Sequence, residues 1–284
     1  MKYSLVVLAA ATLWSAEEST RTIEKSFPLT GNNRSVIVCG LSGAITVTAA
    51  DMNEVRFTVR ERLAAPSRER LEELRKEVDV VFAQEPGAVR AGVKGPQSNR
   101  ECGAREDESP SRERRRWEGR ETRIEHDFTV TVPRDARLEL RNVNGGVEMT
   151  GTSGSYAVQT VNGSIRMTDV EGAGKVTTVN GGVQAVYRKN PTAETDFRTV
   201  NGKLNLYFQP GLNADFKMRT VNGKVFTDFD MTAVSGESPE SKGMKVIHRR
   251  GTSGELRAGN GGVRISTVTV NGEILIHSLA KGRP

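Results

Sequence analysis

The 284-residue chain is poor in aromatic residues (5%) and rich in glycine (29 residues), which argues against a thick Phe/Trp core and for thin, turn-rich β structure. Its net charge of +6 fits loose attraction to anionic polymers or lipid headgroups, but no base-reading motif accompanies the charge, so nucleic acid is set aside as a partner. His126, His248 and His277 share no metal-ligand spacing and neither cysteine has a Cys-x-x-Cys neighbour, so no metal or cofactor is expected.

Residues 1–16 read as a secretory leader. Lys2 supplies the positive charge, and Leu5 to Leu13 form an apolar stretch too short to span a bilayer. Cleavage after Ala16 or after Ala11 are the alternatives. The expectation is an exported protein, periplasmic, cell-surface or extracellular. In an oxidising compartment Cys39 and Cys102 become candidate disulfide partners, closing a loop of roughly 60 residues worth about 4 kcal/mol in the chain-entropy model. The alternative is a Cys39 buried in its strand and an exposed Cys102.

Residues 17–126 are expected to form a looser β-rich portion. Ser42–Thr48 and Glu54–Arg60 alternate as strands do, and Ser67 caps a short helix whose apolar stripe is Leu71, Leu74 and Val78. Strands follow around Val78–Phe82 and Ala88–Val93, joined by Glu85-Pro-Gly87. Residues 97–123 form a charged insert almost without aliphatic side chains. From Arg100 to His126 eight Arg face eight acidic residues, which cancels any appeal as a phosphate-binding patch and reads as a flexible polyampholyte loop.

From Asp127 to the end (127–284) an Asn-Gly turn recurs: Asn144-Gly145, Asn162-Gly163, Asn180-Gly181, Asn201-Gly202, Asn222-Gly223, Asn260-Gly261 and Asn271-Gly272. The spacings are 18, 18, 21, 21, 38 and 11. Three and five positions after each Asn the residues are apolar with one exception (Thr227), and polar residues mostly lie between, the mark of a strand with one buried face. Two positions before Asn stand Asn142, Thr160, Thr178, Thr199, Thr220, Ala258 and Thr269. Asn and Gly both tolerate positive φ, which suits a sharp corner. Units of this length hold two strands and two turns, so stacking coil on coil is favoured over a meander of hairpins. The predicted fold is all-β, a stacked-coil β-solenoid resembling a β-helix, with one short helix. The 38-residue spacing predicts an inserted surface loop at 229–250, and the final spacing of 11 predicts a half-coil closing the stack.

The early Ser42-Gly-Ala-Ile-Thr-Val strand, the charged middle and Asp127-Phe-Thr-Val-Thr-Val-Pro-Arg-Asp-Ala leading into Val-Asn-Gly coils resemble the bacterial putative-adhesin family of unknown function, the LiaG-like exported β-solenoid domains. The resemblance implies a stacked-strand fold in a cell-envelope setting and supplies no catalytic residues.

Two functional readings follow. In the first, an envelope structural or adhesion-like module uses a basic stripe, with Arg198 stacked over Arg219 and Lys203 over Lys224, to hold a cell-envelope glycan, a lipid surface or an envelope protein; solubility explains such residues equally well. Tyr187, Tyr207, Phe208, Phe226 and Phe229 are either sugar-stacking platforms or core edges. In the second, a polysaccharide-processing enzyme on the same scaffold needs carboxylates or basic residues converging on one face, often with a metal, for which Asp228, Asp230, Asp196 and Asp215 are the nearest candidates. Asp196 and Asp215 occupy different coil positions and are expected at turns, so no catalytic site is assigned.

Overall fold

In a computed structural model of the chain, the described residues are 17–95, 122–234, 245–248 and 253–281. The leader, Cys102, most of the 97–123 insert and much of the 229–250 loop lie outside them. Strands β1 (Glu17–Pro28), β2 (Ser35–Cys39), β3 (Ile45–Ala50) and β4 (Glu54–Ala65) precede helix α1 (Arg68–Glu77). Then come β5 (Asp79–Glu85), β6 (Ala88–Lys94), β7 (Arg123–Pro133), β8 (Arg137–Arg141), β9 (Val147–Thr150), β10 (Tyr156–Gln159), β11 (Ile165–Val170), β12 (Gly174–Thr177) and β13 (Val183–Tyr187). The C-terminal part adds β14 (Thr195–Arg198), β15 (Leu204–Phe208), β16 (Ala214–Asn222), β17 (Val225–Thr227), β18 (Met231–Ala233), β19 (Lys245–His248), β20 (Ser253–Ala258), β21 (Val263–Asn271) and β22 (Ile274–Ser278). The expectation of an all-β fold with one short helix holds.

The strands form two eleven-stranded sheets, ordered β1-β4-β7-β3-β9-β11-β13-β15-β22-β17-β19 and β18-β20-β16-β21-β14-β12-β10-β8-β2-β6-β5. Their central parts are parallel, because each coil contributes one strand to each sheet and lies one strand spacing from the next. The alternation seen in the sequence does the rest. Leu140, Val158, Val176 and Phe197 line the inner face of one sheet, and Val147, Ile165, Val183 and Leu204 that of the other, all fully or almost fully buried. One continuous narrow core runs the length of the stack.

The Thr-Val-Asn-Gly corner is a ladder in which Thr, Asn and Gly each have a task. The hydroxyls of Thr160, Thr178 and Thr199 donate to the glycine carbonyls of the preceding coil, Gly145, Gly163 and Gly181, at 2.8–3.0 Å. Asn162, Asn180 and Asn201 each donate an amide proton to the preceding Asn at 2.8 Å. The glycine is required for close approach: a Cβ on Gly163, Gly181 or Gly202 would stand 2.0–2.1 Å from the preceding glycine's carbonyl oxygen. This corrects the expected conformational reason. No ladder Asn has a positive φ, and among the Asn-Gly pairs of the ladder only Gly145 does.

The order of coils departs from the order of the sequence at both ends. The strand pair β21/β22 is a complete coil, not a closing half-coil, and it sits between β14/β15 and β16/β17. The ladder follows it: Asn271 donates to Asn201, and Asn222 donates to Asn271. Asn260-Gly261 is not a rung. It lies in the turn between β20 and β21, with Gly259, Gly261 and Gly262 all at positive φ. At the other end β2/β3 forms a coil between β6/β7 and β8/β9, and Ser42-Gly43 supplies its corner, bridging Asn144. Asn142 replaces the Thr there and donates to the Gly43 carbonyl at 2.8 Å. The 17–126 region therefore shares both sheets with the repeats, and its β2/β3 coil is as regular as they are.

Antiparallel strands finish the stack. β4 and β1 extend one sheet at the first end and β5 the other, while β20, β18 and β19 cover the second end. Helix α1 begins as expected, with the Ser67 hydroxyl accepting from the Arg70 backbone N–H, and buries Leu71 and Leu74. Among the described residues no helix is long and apolar enough to cross a membrane.

Candidate ligand-binding face

The residues expected to make a continuous cationic stripe do not abut, because the C-terminal coil comes between them. Arg198 pairs in register with Val268, and Val268 with Arg219. Lys203 is followed by Glu273, which it binds at 2.8 Å, before Lys224 is reached. Two strand spacings, about 10 Å, separate the stacked cations instead of one.

That separation creates a groove. On the outer face of the second sheet β14 and β16 project charged side chains, whereas β21 between them projects the short Ser266 and Val268. The resulting open groove has a volume of about 840 Å³ and runs along β21. One wall carries Glu194, Asp196 and Arg198 and the other Lys217, Arg219 and Val221, with Arg264 at one end of the floor. Four cations thus line it against two carboxylates.

The charges are unevenly satisfied. Arg198 makes a two-point pair with Asp196 at 2.7 and 3.0 Å, which holds the guanidinium upright and neutralised. Beyond the groove Asp215 pairs with Arg257 at 2.7 Å; that hydrogen bond, set against burial and helped by the Gly262 amide, keeps its carboxyl below the usual aspartate range. Arg219 faces Val268 on one side and Ser253 on the other, and Lys217 faces Ser266 and Glu255. Among the described residues neither Lys217 nor Arg219 is joined in an ion pair, and both are exposed.

The carboxylates considered for catalysis stay apart. Asp196 and Asp215 stand on strands, not at turns, each beside an arginine. Asp228 lies at the far corner, 3.3 Å from His277. Among the described residues no group of His, Cys, Asp and Glu is placed to hold a metal ion.

The aromatic residues divide. Tyr187 and Phe208 are fully buried and stack at 5.0 Å, and the Tyr187 hydroxyl meets that of Tyr156 at 2.5 Å. Burial pushes both phenols above their usual range. Tyr207 lies half-buried on the outer face of the first sheet with its ring stacked on His277 at 4.6 Å, and Phe226 and Phe229 are half-buried as well. Cys39 is buried at the end of β2 and is not a free thiol, while Cys102 lies outside the described residues.

Sequence reasoning singled out Arg198 and Arg219, noted Arg264 among the basic residues near the turns, and missed Lys217 and Ser266. Lys217 was legible in principle: it stands five positions before Asn222, as Asp196 does before Asn201 and Ser266 before Asn271. What brings these three side by side is the interposed coil.

The molecule is an all-β protein of stacked coils with an open charged groove on one sheet. No family model matches the sequence, and no curated protein matches it. Among solved structures it is similar to a "putative cell adhesion protein" from Clostridium sporogenes ATCC 15579, at TM-score 0.40 and 10% identity over 93% of this chain and 100% of that one. It is also similar to a "putative adhesin" from Bacteroides fragilis NCTC 9343, at TM-score 0.28 and 10% identity over 91% of this chain and 97% of that one.

Proposed function

We propose that the protein is an exported, non-catalytic binding module of the cell envelope, adhesion-like in the sense that it grips an extended surface component. The observation that carries this reading is the groove along β21: open, long, charged and built on a rigid sheet face. A glycosidase would set two carboxyl groups across one scissile bond, and here Asp196 and Asp215 stand on different strands, each bound to an arginine. The leader expected at residues 1–16 and a Cys39–Cys102 disulfide belong to the same proposal. Alkylation without reductant should then leave the mature protein's mass unchanged, and a mass increase for two alkylated thiols would remove the bridge.

Co-sedimentation of the mature protein with isolated envelope fractions across a salt series tests the binding role. Retention that fades as salt rises supports it. Absence of retention at low salt would overturn it and leave a purely structural role.

A further inference from the structure

We infer that the groove along β21 is a binding site for an acidic glycan, a linear chain of sugar rings bearing carboxylates, with Lys217 and Arg219 holding the carboxylates. The inference rests on the envelope-binding reading above and names its ligand class.

Three features of the groove select this chemistry. First, the unpaired charge is positive and local. Arg198 is already occupied by Asp196, whereas Lys217 and Arg219 stand two residues apart on one face of β16, about 7 Å along the strand, with no ion pair to another described residue. An anion entering there gains a charge-assisted hydrogen bond to each without breaking an ion pair among the described residues. Second, the groove also presents acceptors and a hydroxyl. Glu194 and Asp196 line the wall opposite the two cations and Ser266 lies on the floor beside Lys217. The four cations attract a polyanion, but Asp196 is held by Arg198, and Glu194, joined in no ion pair among the described residues, would repel a negative group placed on its wall. A sugar that offers hydroxyl donors to the two carboxylates and a carboxylate to the cations satisfies both walls. Third, the site is a trough bounded on both sides, with the apolar Val268 and Val221 at one end. A single polymer chain can lie in it, and the flat surface of a bilayer cannot reach its floor.

The interposed coil is what makes the site. If β14 and β16 were direct neighbours, Arg198 and Arg219 would stand one strand spacing apart, about 5 Å, and would repel each other with no floor between them.

The test is calorimetric titration of the mature protein with polygalacturonate oligomers, alongside a neutral galactan, polyphosphate of matched charge and anionic lipid vesicles. Polygalacturonate binding that weakens with salt, with little or none to the other three probes, is the expected result. Arg219→Ala should weaken it about tenfold and the Lys217→Ala, Arg219→Ala pair by about a hundredfold, with Arg219→Lys recovering part of the loss. Both side chains are exposed, so the melting temperature should not move. Arg166→Ala, on the outer face of the opposite sheet, should bind as the unaltered protein does.

Affinity unchanged by the double substitution would overturn the assignment, as would equal or tighter binding of polyphosphate or vesicles. So would silence toward polygalacturonate at low salt. If envelope fractions still retain the double variant in full, the groove assignment fails while the binding role stands.

Discussion

The middle of the stack and its two ends are built from the same coil and arranged by different rules. From β8 to β15 each coil lies on the one before it in sequence, and spacings of 18, 18 and 21 between rungs translate directly into spatial order. Followed outward from the middle toward either terminus, the chain first forms the outer coil and then places the coil nearer its terminus inside it. At the first end β2/β3 is enclosed by β6/β7, and at the second β21/β22 is enclosed by β16/β17. The coils nearest the chain termini therefore have neighbours on both sides, and antiparallel strands cover the exposed ends: β18, β19 and β20 at the second, and β4, β5 and the edge strand β1 at the first. Stacked repeats need capped ends, and the second end meets that need with strands from within the chain while its last coil is held on both sides. The lesson is that the repeat defines how a coil touches its neighbour and leaves open which coil that neighbour is.

The largest expected effect tests whether the corner is as tight in the middle as the close approach demands. In Gly202→Ala the new Cβ would meet the Gly181 carbonyl oxygen at 2.0 Å, and backbone cannot yield there without breaking the ladder. A loss of about 4 kcal/mol or more in urea unfolding is expected. Gly146→Ala, whose Cβ would stand 3.4 Å from the Ser164 carbonyl at negative or extended φ, should cost under about 1 kcal/mol. Equal losses at the two positions would show that close packing of the rungs is not what requires glycine.

Next in size is the buried charge at the first end. Glu61, 2% exposed, accepts from Arg21 at 2.6 Å and from His126 Nε2 at 3.0 Å. Because a carboxylate can only accept, Nε2 carries the proton, and Nδ1 is the ring nitrogen without a partner among the described residues. Burial pushes the Glu61 carboxyl up, but the hydrogen bonds from His126 and Arg21 and their charges outweigh it and hold the group below the usual glutamate range. A depressed carboxyl stabilises the fold above its unfolded value, near 4, and that contribution is lost as pH falls through the lower folded value. Glu61→Gln should therefore cost about 3 kcal/mol at neutral pH, and the gap to the unaltered protein should narrow on acidification below about pH 4. A gap independent of pH would mean the end is held by packing alone. The middle coils have no such buried pair, so their exchange protection should change less over the same range.

Much of this was readable from residues and some of it was not. The apolar rows three and five positions after Asn gave both inner faces because period-two alternation has one structural solution when one face is buried. Ser42-Gly43 escaped a search for Asn-Gly, although Ile45 and Val47 follow at the right offsets. Asn260-Gly261 passed that search because β21 happens to begin behind it with Val263 and Ile265. Among the Asn-Gly pairs the discriminating signal was two residues upstream: each rung there has a donor for the neighbouring glycine carbonyl, which Asn142 and the threonines supply and Ala258 lacks. The order of coils at the ends was not legible, since every step of the ladder uses the same bonds and no local sequence distinguishes one neighbour from another. The groove inherits that opacity, being made by two coils 21 residues apart and a third that arrives 49 residues after the second.

A pair of threonines separates the ladder from the core within that interposed region. Thr199 is buried and donates to the Gly181 carbonyl at 2.8 Å, so Thr199→Val should cost about 1 kcal/mol. Thr267 is fully buried between Phe197 and Met218 in an otherwise apolar row, and among the described residues its hydroxyl has no partner. Thr267→Val keeps the shape and removes an unpaid desolvation, so it should stabilise by about 1 kcal/mol. Effects of the same sign in both variants would mean that the hydroxyls are not distinguished by their partners.

The smallest effect concerns the chemistry of the rungs themselves. In an Asn-Gly pair the glycine nitrogen can attack the Asn side-chain carbonyl, expel ammonia and form a cyclic imide, which water opens to aspartate or isoaspartate. The ladder opposes this reaction at its nucleophile, for the N–H groups of Gly163, Gly181 and Gly202 each donate to the next coil's Asn carbonyl at 3.0 Å. The side-chain amides are held as well, each bonded to its neighbours above and below. Asn222 is the last rung. Its amide still donates to Asn271, but among the described residues the Gly223 N–H has no acceptor and the Asn222 side-chain oxygen no donor. Peptide mapping after prolonged incubation at mildly alkaline pH should find aspartate or isoaspartate at Asn222 well before Asn162, Asn180 or Asn201. Uniform conversion along the ladder would show that the rungs open together, and the middle of the stack would then be no better held than its end.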